Sequence, residues 1–308
     1  MFNIYPMPIK SSQPSPLFSK NFKLDPLSIS QYQFLVNCPY QFFALACLGL
    51  SKTNELSEEL DKMDFGSLVH KCIYAFFVKE PSMPGPFTEK VTSKNRKAAV
   101  AMLNSISEHV FNQYSERSFS DLLWLQRWLN LIPEFIDWEI QRQEDYTPYK
   151  HEALLQKNID TTRSLIGRAD RIDKSATAYA IVDYKTGQTP SKKNVLAGEQ
   201  VQLPLYALLH ENCNQVEYVA IGKDNKVRTE SVLKDDQLAR LVDEHRNRIS
   251  EYANTLNDAK KIGFYDSLIY SEFQKNINKR KIPMIQMMRN AALTAFELWD
   301  KKTDKVKY

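Results

Sequence analysis

Cysteine is scarce in this chain. Four occur in 308 residues, Cys38, Cys47, Cys72 and Cys213, and no two form a C-x-x-C pair. That spacing leaves a structural zinc or iron–sulfur site without a sequence signature, and so few thiols point to a reducing compartment. Long apolar runs are also missing. The longest, FFALACLGL at residues 42–50, falls far short of the roughly 20 residues that cross a bilayer as a helix. The N-terminal stretch MFNIYPMPIKSSQPSPLFSK is broken by prolines and lacks the apolar core of a signal peptide. No G-x-x-x-x-G-K-[ST] is present, so the chain carries no P-loop motor. No internal repeat is evident. These absences describe a cytoplasmic protein with no membrane partner.

Charge of one sign is not in great excess. Forty-one basic against 37 acidic residues give a net +4, which permits a polyanionic partner without demanding one. Basic residues do cluster at 90–97, 192–193, 275–281 and 301–307, but each cluster alone reads as a solvated loop or helix face. The composition, 43% hydrophobic and 25% charged, is that of a globular protein with a sizeable core.

Along the chain, residues 1–27 are rich in Pro and Ser and read as an extended arm or linker. Ser28 or Ser30 is placed to cap a helix carrying Tyr32, Leu35 and Val36. Pro39 interrupts it, and a second apolar helix is expected from about Tyr40 to Leu48. DFGSLVHKCIYAFFVK at 64–79 has an amphipathic helical pattern, and two long helices follow at about 94–117 and 120–145. The pattern then changes. Residues 150–159, 164–173 and 178–184 read as consecutive strands, followed by a helix over about 193–212, strands at 216–222 and 226–233, and a charged helix at 235–260. The expectation is a helical part at 28–147, an α/β core of order βββαβ at 148–262, and a helical extension at 263–308.

One stretch asks for an explanation. In AIVDYKTG, Ile181, Asp183 and Lys185 share one face of a strand, while Val182 and Tyr184 face the other way. Alone, this is equally well a strand end with a surface ion pair. Its partner strand changes the reading. If residues 164–173 and 178–184 form a hairpin closed by Lys174 to Thr177, Asp173 pairs with Ala178, Asp170 with Ile181, and Arg168 with Asp183. Asp170 and Asp183 are then diagonal neighbours on one face, near enough for two carboxylates to converge on a hard cation, with Lys185 one step along. Asp173 is expected on the opposite face, and Glu152 outside the core site.

GRADRID at 167–173, VDYKTG at 182–187 and QLPLY at 202–206 together resemble the PD-(D/E)XK nuclease superfamily. More narrowly they resemble its RecB-like domains, in particular the C-terminal nuclease domain of AddB-type repair proteins. The likeness extends upstream to CPYQFFALACLGL and DFGSLVH and covers about residues 28–222. It implies an α/β, restriction-endonuclease-like core: a mixed central sheet flanked by helices, with a helical N-terminal half and a helical C-terminus. Residues 28–308 are then one nuclease domain.

The resemblance also implies roles. His70, Asp170, Asp183 and the Tyr184 carbonyl would hold Mg²⁺ or Mn²⁺, and Lys185 would be the catalytic lysine. Gln202 and Tyr206, one helical turn apart, would contact DNA or brace the site, together with Arg168. Many relatives carry an iron–sulfur cluster. Cys38 stands where its first ligand would be, but RKIPMIQMMRNAALTAFELWDKK at 280–302 has no cysteine, so no cluster is expected. Cys38 then becomes a buried thiol, and Ile282, Met284, Met287, Met288, Leu293, Phe296 and Trp299 would pack the C-terminus in place of the cluster. The function implied is a metal-dependent deoxyribonuclease of DNA repair or recombination, an exonuclease by preference. The rival is an inactive DNA-binding or scaffold subunit of a helicase–nuclease complex, and a third reading requires a helicase partner for activity.

Overall fold

A computed structural model describes residues 25–42, 45–46, 62–114, 119–159 and 163–261. The chain divides into two compact units, Lys20–Tyr252 and a second made of Met1–Ser19 with Ala253–Tyr308. The whole sheet lies within the first. Of the arm expected over 1–27, residues 1–24 lie outside the described residues, while Leu27 joins the sheet instead of an extended linker; the apolar packing expected of 263–308 also lies outside them.

The sheet forms around strand β3 (Ser164–Lys174). β2 (Thr147–Asn158) runs antiparallel along one side of it. On the other side β3 meets the short β1 (Leu27–Ser28) in parallel and β4 (Tyr179–Lys185) antiparallel. β4 then pairs in parallel with β5 (Cys213–Lys223), and β5 antiparallel with β6 (Lys226–Lys234). The sheet is therefore mixed, as the sequence implies.

Helices cover both faces. On one lie α3 (Lys62–Phe77), α4 (Arg96–Tyr114) and α5 (Phe119–Asp145). In α3 the buried residues Phe65, Leu68, Val69, Cys72, Ile73 and Phe76 recur at helical spacing and form one stripe against this core. Val182 and Tyr184 of β4 meet them from the sheet. On the other face lie α1 (Ile29–Asn37), α6 (Lys192–Leu196), α7 (Gln202–Leu209) and, through Leu238, Leu241 and Ile249, the first part of α8 (Asp235–Lys261), around Ile172, Ile181, Val216 and Tyr218. This is the restriction-endonuclease-like α/β arrangement.

Local chemistry accounts for several boundaries. Ser28 caps α1 by accepting from Gln31 N–H at 3.1 Å, while Gln31 Oε1 accepts from Ser28 N–H at 2.9 Å. Pro39 opens the short α2 (Pro39–Phe42), where its missing N–H costs nothing. Within the helix expected from Tyr40 to Leu48, residues 40–42 belong to α2 and residues 45–46 are also helical. Cys38, expected to be buried, is exposed: it caps the C-terminus of α1 in an extended conformation, off both cores.

Two further expectations are corrected. The helix read over 193–212 is two, α6 and α7, because Gly198 turns the chain at φ +71° against the guanidinium of Arg248. The hairpin register is shifted by two residues. Arg171 pairs with Val182 and Asp173 with Ala180. Ser175 is the cause: its N–H donates to the Ala178 carbonyl at 2.9 Å, and its hydroxyl accepts from Ala178 N–H at 3.1 Å, closing a tighter turn. A shift of two preserves the faces, and the ladder ends at Arg171 and Val182, short of Asp170 and Asp183.

Candidate active site

The sequence-predicted residues gather at the middle of β3 and the C-terminal end of β4, with His70 from α3 and Gln202 and Tyr206 from α7. A cleft of about 880 Å³ opens there, lined by His70, Glu152, Arg168, Asp170 and Lys185 among others. Helix α3 presents His70 to it from the flank of its apolar stripe, and Gly66, one turn earlier, lets the helix approach the loop after β4. A Cβ at Gly66 would lie 2.9 Å from Thr186 Oγ1.

His70 Nε2 lies 3.1 Å from the Tyr184 carbonyl oxygen. A carbonyl can only accept, so Nε2 carries the proton, and in the neutral ring the lone pair is left on Nδ1. Nδ1 faces two acids, 3.6 Å from Asp170 Oδ1 and 3.9 Å from Glu152 Oε1. The three side chains offer ligand atoms all within 4.8 Å of one another. Asp170 is anchored through its other oxygen, Oδ2, which accepts from Tyr184 N–H at 2.8 Å.

Glu152 is the residue that the sequence reading left out. It takes φ +46° in β2, between the pairs His151–Arg171 and Ala153–Ala169, and so stands opposite Asp170. Strict alternation also lapses in β3 there, since Ala169 and Ile172, three apart, both pack on the α7 side. Such a local irregularity re-aims side chains. Nothing in KHEALL announces it.

The electrostatics fit a cation. Burial, and then the nearby Asp183 carboxylate, push Asp170 up to about 7. Burial opposes a charged imidazole at His70, but Glu152, Asp170 and Asp183 outweigh it and raise His70 to about 9. Negative charge is thus crowded and under-compensated at this end of the cleft. A donor set of imidazole and carboxylates suits a divalent metal.

Asp183 and Lys185 form a second group. Asp183 is 1% exposed. Its Oδ2 lies 2.5 Å from Lys185 Nζ, without the alignment of a hydrogen bond. Burial raises its carboxyl although Lys185 opposes this. Gln202 of α7 joins the two: its Nε2 donates to Asp183 Oδ1 at 2.7 Å, and its Oε1 accepts from Lys185 Nζ at 3.0 Å. The other Nε2 hydrogen reaches the Tyr206 hydroxyl at 3.0 Å, which donates to the Arg168 carbonyl at 2.7 Å. Tyr206 is buried, and both Nε2 hydrogens and Oε1 of Gln202 are engaged within the protein. Arg168 is different: its side chain is 64% exposed and reaches Glu152 only at 4.0 Å. Asp173, as expected, lies on the other face, among the buried Arg142, Arg171 and Glu139.

The model of the PD-(D/E)XK nuclease superfamily matches residues 26–263, most of the chain and all of the site. The chain belongs to the PD-(D/E)XK nuclease superfamily. Its relatives say less. An uncharacterized protein of Rickettsia conorii is 28% identical over 187 residues, 59% of this chain and 22% of its own length. One from Rickettsia typhi is 28% identical over 191 residues, covering 59% and 21%. The chain therefore spans about a fifth of the curated relatives it matches. A crystal structure from Eubacterium rectale, provisionally designated an exonuclease, matches with a TM-score of 0.42 and 12% identity over 76% of this chain and 82% of its own. That likeness is too slight to bear on function. Among the described residues no helix is long and apolar enough to cross a membrane.

Proposed function

We propose that this chain is a divalent-metal-dependent nuclease that hydrolyses phosphodiester bonds in DNA. The observation that carries the reading is the convergence of His70, Glu152 and Asp170 within 4.8 Å beside the Asp183–Lys185 pair. His70 Nδ1, Asp170 Oδ1 and Glu152 would hold Mg²⁺ or Mn²⁺, with Asp183 and the Tyr184 carbonyl nearby as the resemblance implies. Bound there, the cation would lower the pKa of a coordinated water and offset charge on the phosphate.

The chain's own groups do the rest. Lys185 donates one N–H to Gln202 Oε1 and lies against Asp183 as an ion pair, and it lines the cleft where its remaining donors can meet a ligand. It orients the attacking water or meets charge on the phosphate oxygens in the transition state. Water oxygen bonds to phosphorus and gives up a proton to solvent, the bond from phosphorus to the leaving sugar oxygen breaks, and that oxygen takes up a proton from solvent. Asp183 lies against Lys185 and helps keep it in place, while Gln202 fixes both. Arg168 meets the backbone of the strand at the rim. The RecB-like subtype, an exonuclease mode, a place in DNA repair, and a helicase partner belong to the same proposal and rest on the resemblance alone.

The test is cleavage of end-labelled linear single- and double-stranded DNA with Mg²⁺ or Mn²⁺ against EDTA. Wild type should cut only with metal. Lys185→Ala and Asp183→Ala should lose on the order of 10²–10⁴ in rate while remaining folded. Salt-sensitive DNA binding without cleavage under either metal would instead favour the inactive DNA-binding subunit, and cleavage only with an added helicase chain would favour a dependent one.

A further inference from the structure

The two strands that carry the site are not held together by their ladder where the site lies. The last paired residues of β3 and β4 at this end are Arg171 and Val182. Asp170 and Tyr184 lie beyond them, yet their separation sets the spacing of the candidate ligands. Two side-chain hydrogen bonds span the gap. On the cleft side, Asp170 Oδ2 accepts from Tyr184 N–H at 2.8 Å. Through the sheet, in the α5 layer, the Tyr184 hydroxyl accepts from Arg171 Nη1 at 3.2 Å.

Arg171 is itself fixed on every side. It is fully buried, and its Nη1 and Nη2 donate to the two carboxylate oxygens of Glu139 at 2.5 and 2.9 Å. Its Nε donates to Asp173 at 2.6 Å. The guanidinium lies 4.9 Å from the Phe77 ring centroid and 5.6 Å from that of Trp138. Asp173 is also held by Arg142 Nε at 2.9 Å, and Glu139 by Gln143 Nε2 at 2.5 Å. Buried ion networks are poor sources of stability, since well-packed apolar residues commonly serve as well. What such a network does supply is a single geometry. Here it is delivered one residue from Asp170, and through Tyr184 to the residue whose N–H and carbonyl hold Asp170 and His70.

We propose that Arg171 is a positioning residue: through the Tyr184 hydroxyl it sets the distance between Asp170 on β3 and the Tyr184–Lys185 end of β4, and with it the affinity of the site for its cation. This rests on the nuclease reading for the identity of the site.

The test is Tyr184→Phe in the full chain, which removes one hydroxyl and leaves Arg171 Nη1 paired with Glu139. Mn²⁺ affinity is measured by titration calorimetry, DNA cleavage by kcat and KM, and the metal-free protein by thermal melting. The Mn²⁺ Kd should weaken by on the order of 10–100-fold, as for other partners of metal ligands. The fall in activity should be in kcat, with KM for DNA within about twofold of wild type. Glu139→Gln, which loosens the hold on Arg171 without touching Tyr184, should weaken Mn²⁺ binding in the same direction, and it carries the test if Tyr184→Phe does not fold. Wild-type Mn²⁺ affinity in the folded variant overturns the proposal, whatever happens to the melting temperature. If wild type binds Mn²⁺ but cuts no DNA, the nuclease reading alone fails and the variants' affinities still decide. If wild type binds no Mn²⁺, both fall.

Discussion

Gln202 holds the two groups of the DYK strand at once: its Nε2 donates to Asp183 Oδ1 at 2.7 Å while its Oε1 accepts from Lys185 Nζ at 3.0 Å. A side chain with its whole amide engaged this way has little left for a substrate. Gln202→Ala should therefore lower kcat by about 10–100-fold, as loss of a bracing partner does, and leave KM for DNA nearly unchanged. Steady-state kinetics on labelled DNA distinguish this from a DNA-contacting glutamine, whose loss would raise KM.

Glu152 stands with His70 and Asp170, all three within 4.8 Å. Glu152→Gln keeps its size and removes its charge. Mn²⁺ affinity measured by calorimetry should fall by on the order of tenfold or more if it is a ligand or orients one. An unchanged affinity would return Glu152 to the role the sequence reading gave it, outside the core site.

Gly66 lies inside α3, where alanine would be better by about 1 kcal/mol on helix propensity alone. Its added Cβ would sit 2.9 Å from Thr186 Oγ1, so the side chain after Lys185 must move. Gly66→Ala should leave the melting temperature unchanged or raised and still lower cleavage. Adding Thr186→Ala, which removes the obstructing oxygen, should restore part of that activity if the fault is the clash.

Arg168 is mostly exposed at the mouth of the cleft. Replacing it with Ala should weaken DNA binding about equally for all sequences and reduce the magnitude of the log–log salt dependence by about 1. Fluorescence anisotropy at several salt concentrations reads both.

His245 of α8 is 1% exposed, and neither ring nitrogen has a hydrogen-bond partner among the described residues. Burial, then Arg248, lowers its pKa from 6.5 to about 4, against the opposing pull of Glu244. In the unfolded chain the ring takes up a proton below its ordinary value of about 6.5. Between that pH and about 4 the unfolded state binds more protons, so the stability due to neutral His245 is complete above 6.5 and is lost as pH falls toward 4. Denaturant unfolding across this range should show a shallower loss for His245→Phe than for wild type. Equal slopes would place the acid sensitivity elsewhere.

Much of the fold can be read from the chain because each element announces itself locally. The stripe Phe65, Leu68, Val69, Cys72, Ile73 and Phe76 is helical by spacing alone, and it leaves His70 at its flank. Ile181, Asp183 and Lys185 share a strand face by period two whatever the register, so a hairpin misjudged by two residues leaves that face unchanged. What the chain could not show is where neighbours meet. The Ser175 turn sets the register, and the positive φ of Glu152 adds a third group beside His70 and Asp170. Arg171 and Glu139 are 32 positions apart, on a strand and a helix, and only their packing makes them one buried unit. Periodicity is a property of one segment and survives in the sequence. The distance between two side chains on different segments depends on how those segments pack, and only the tertiary structure decides that.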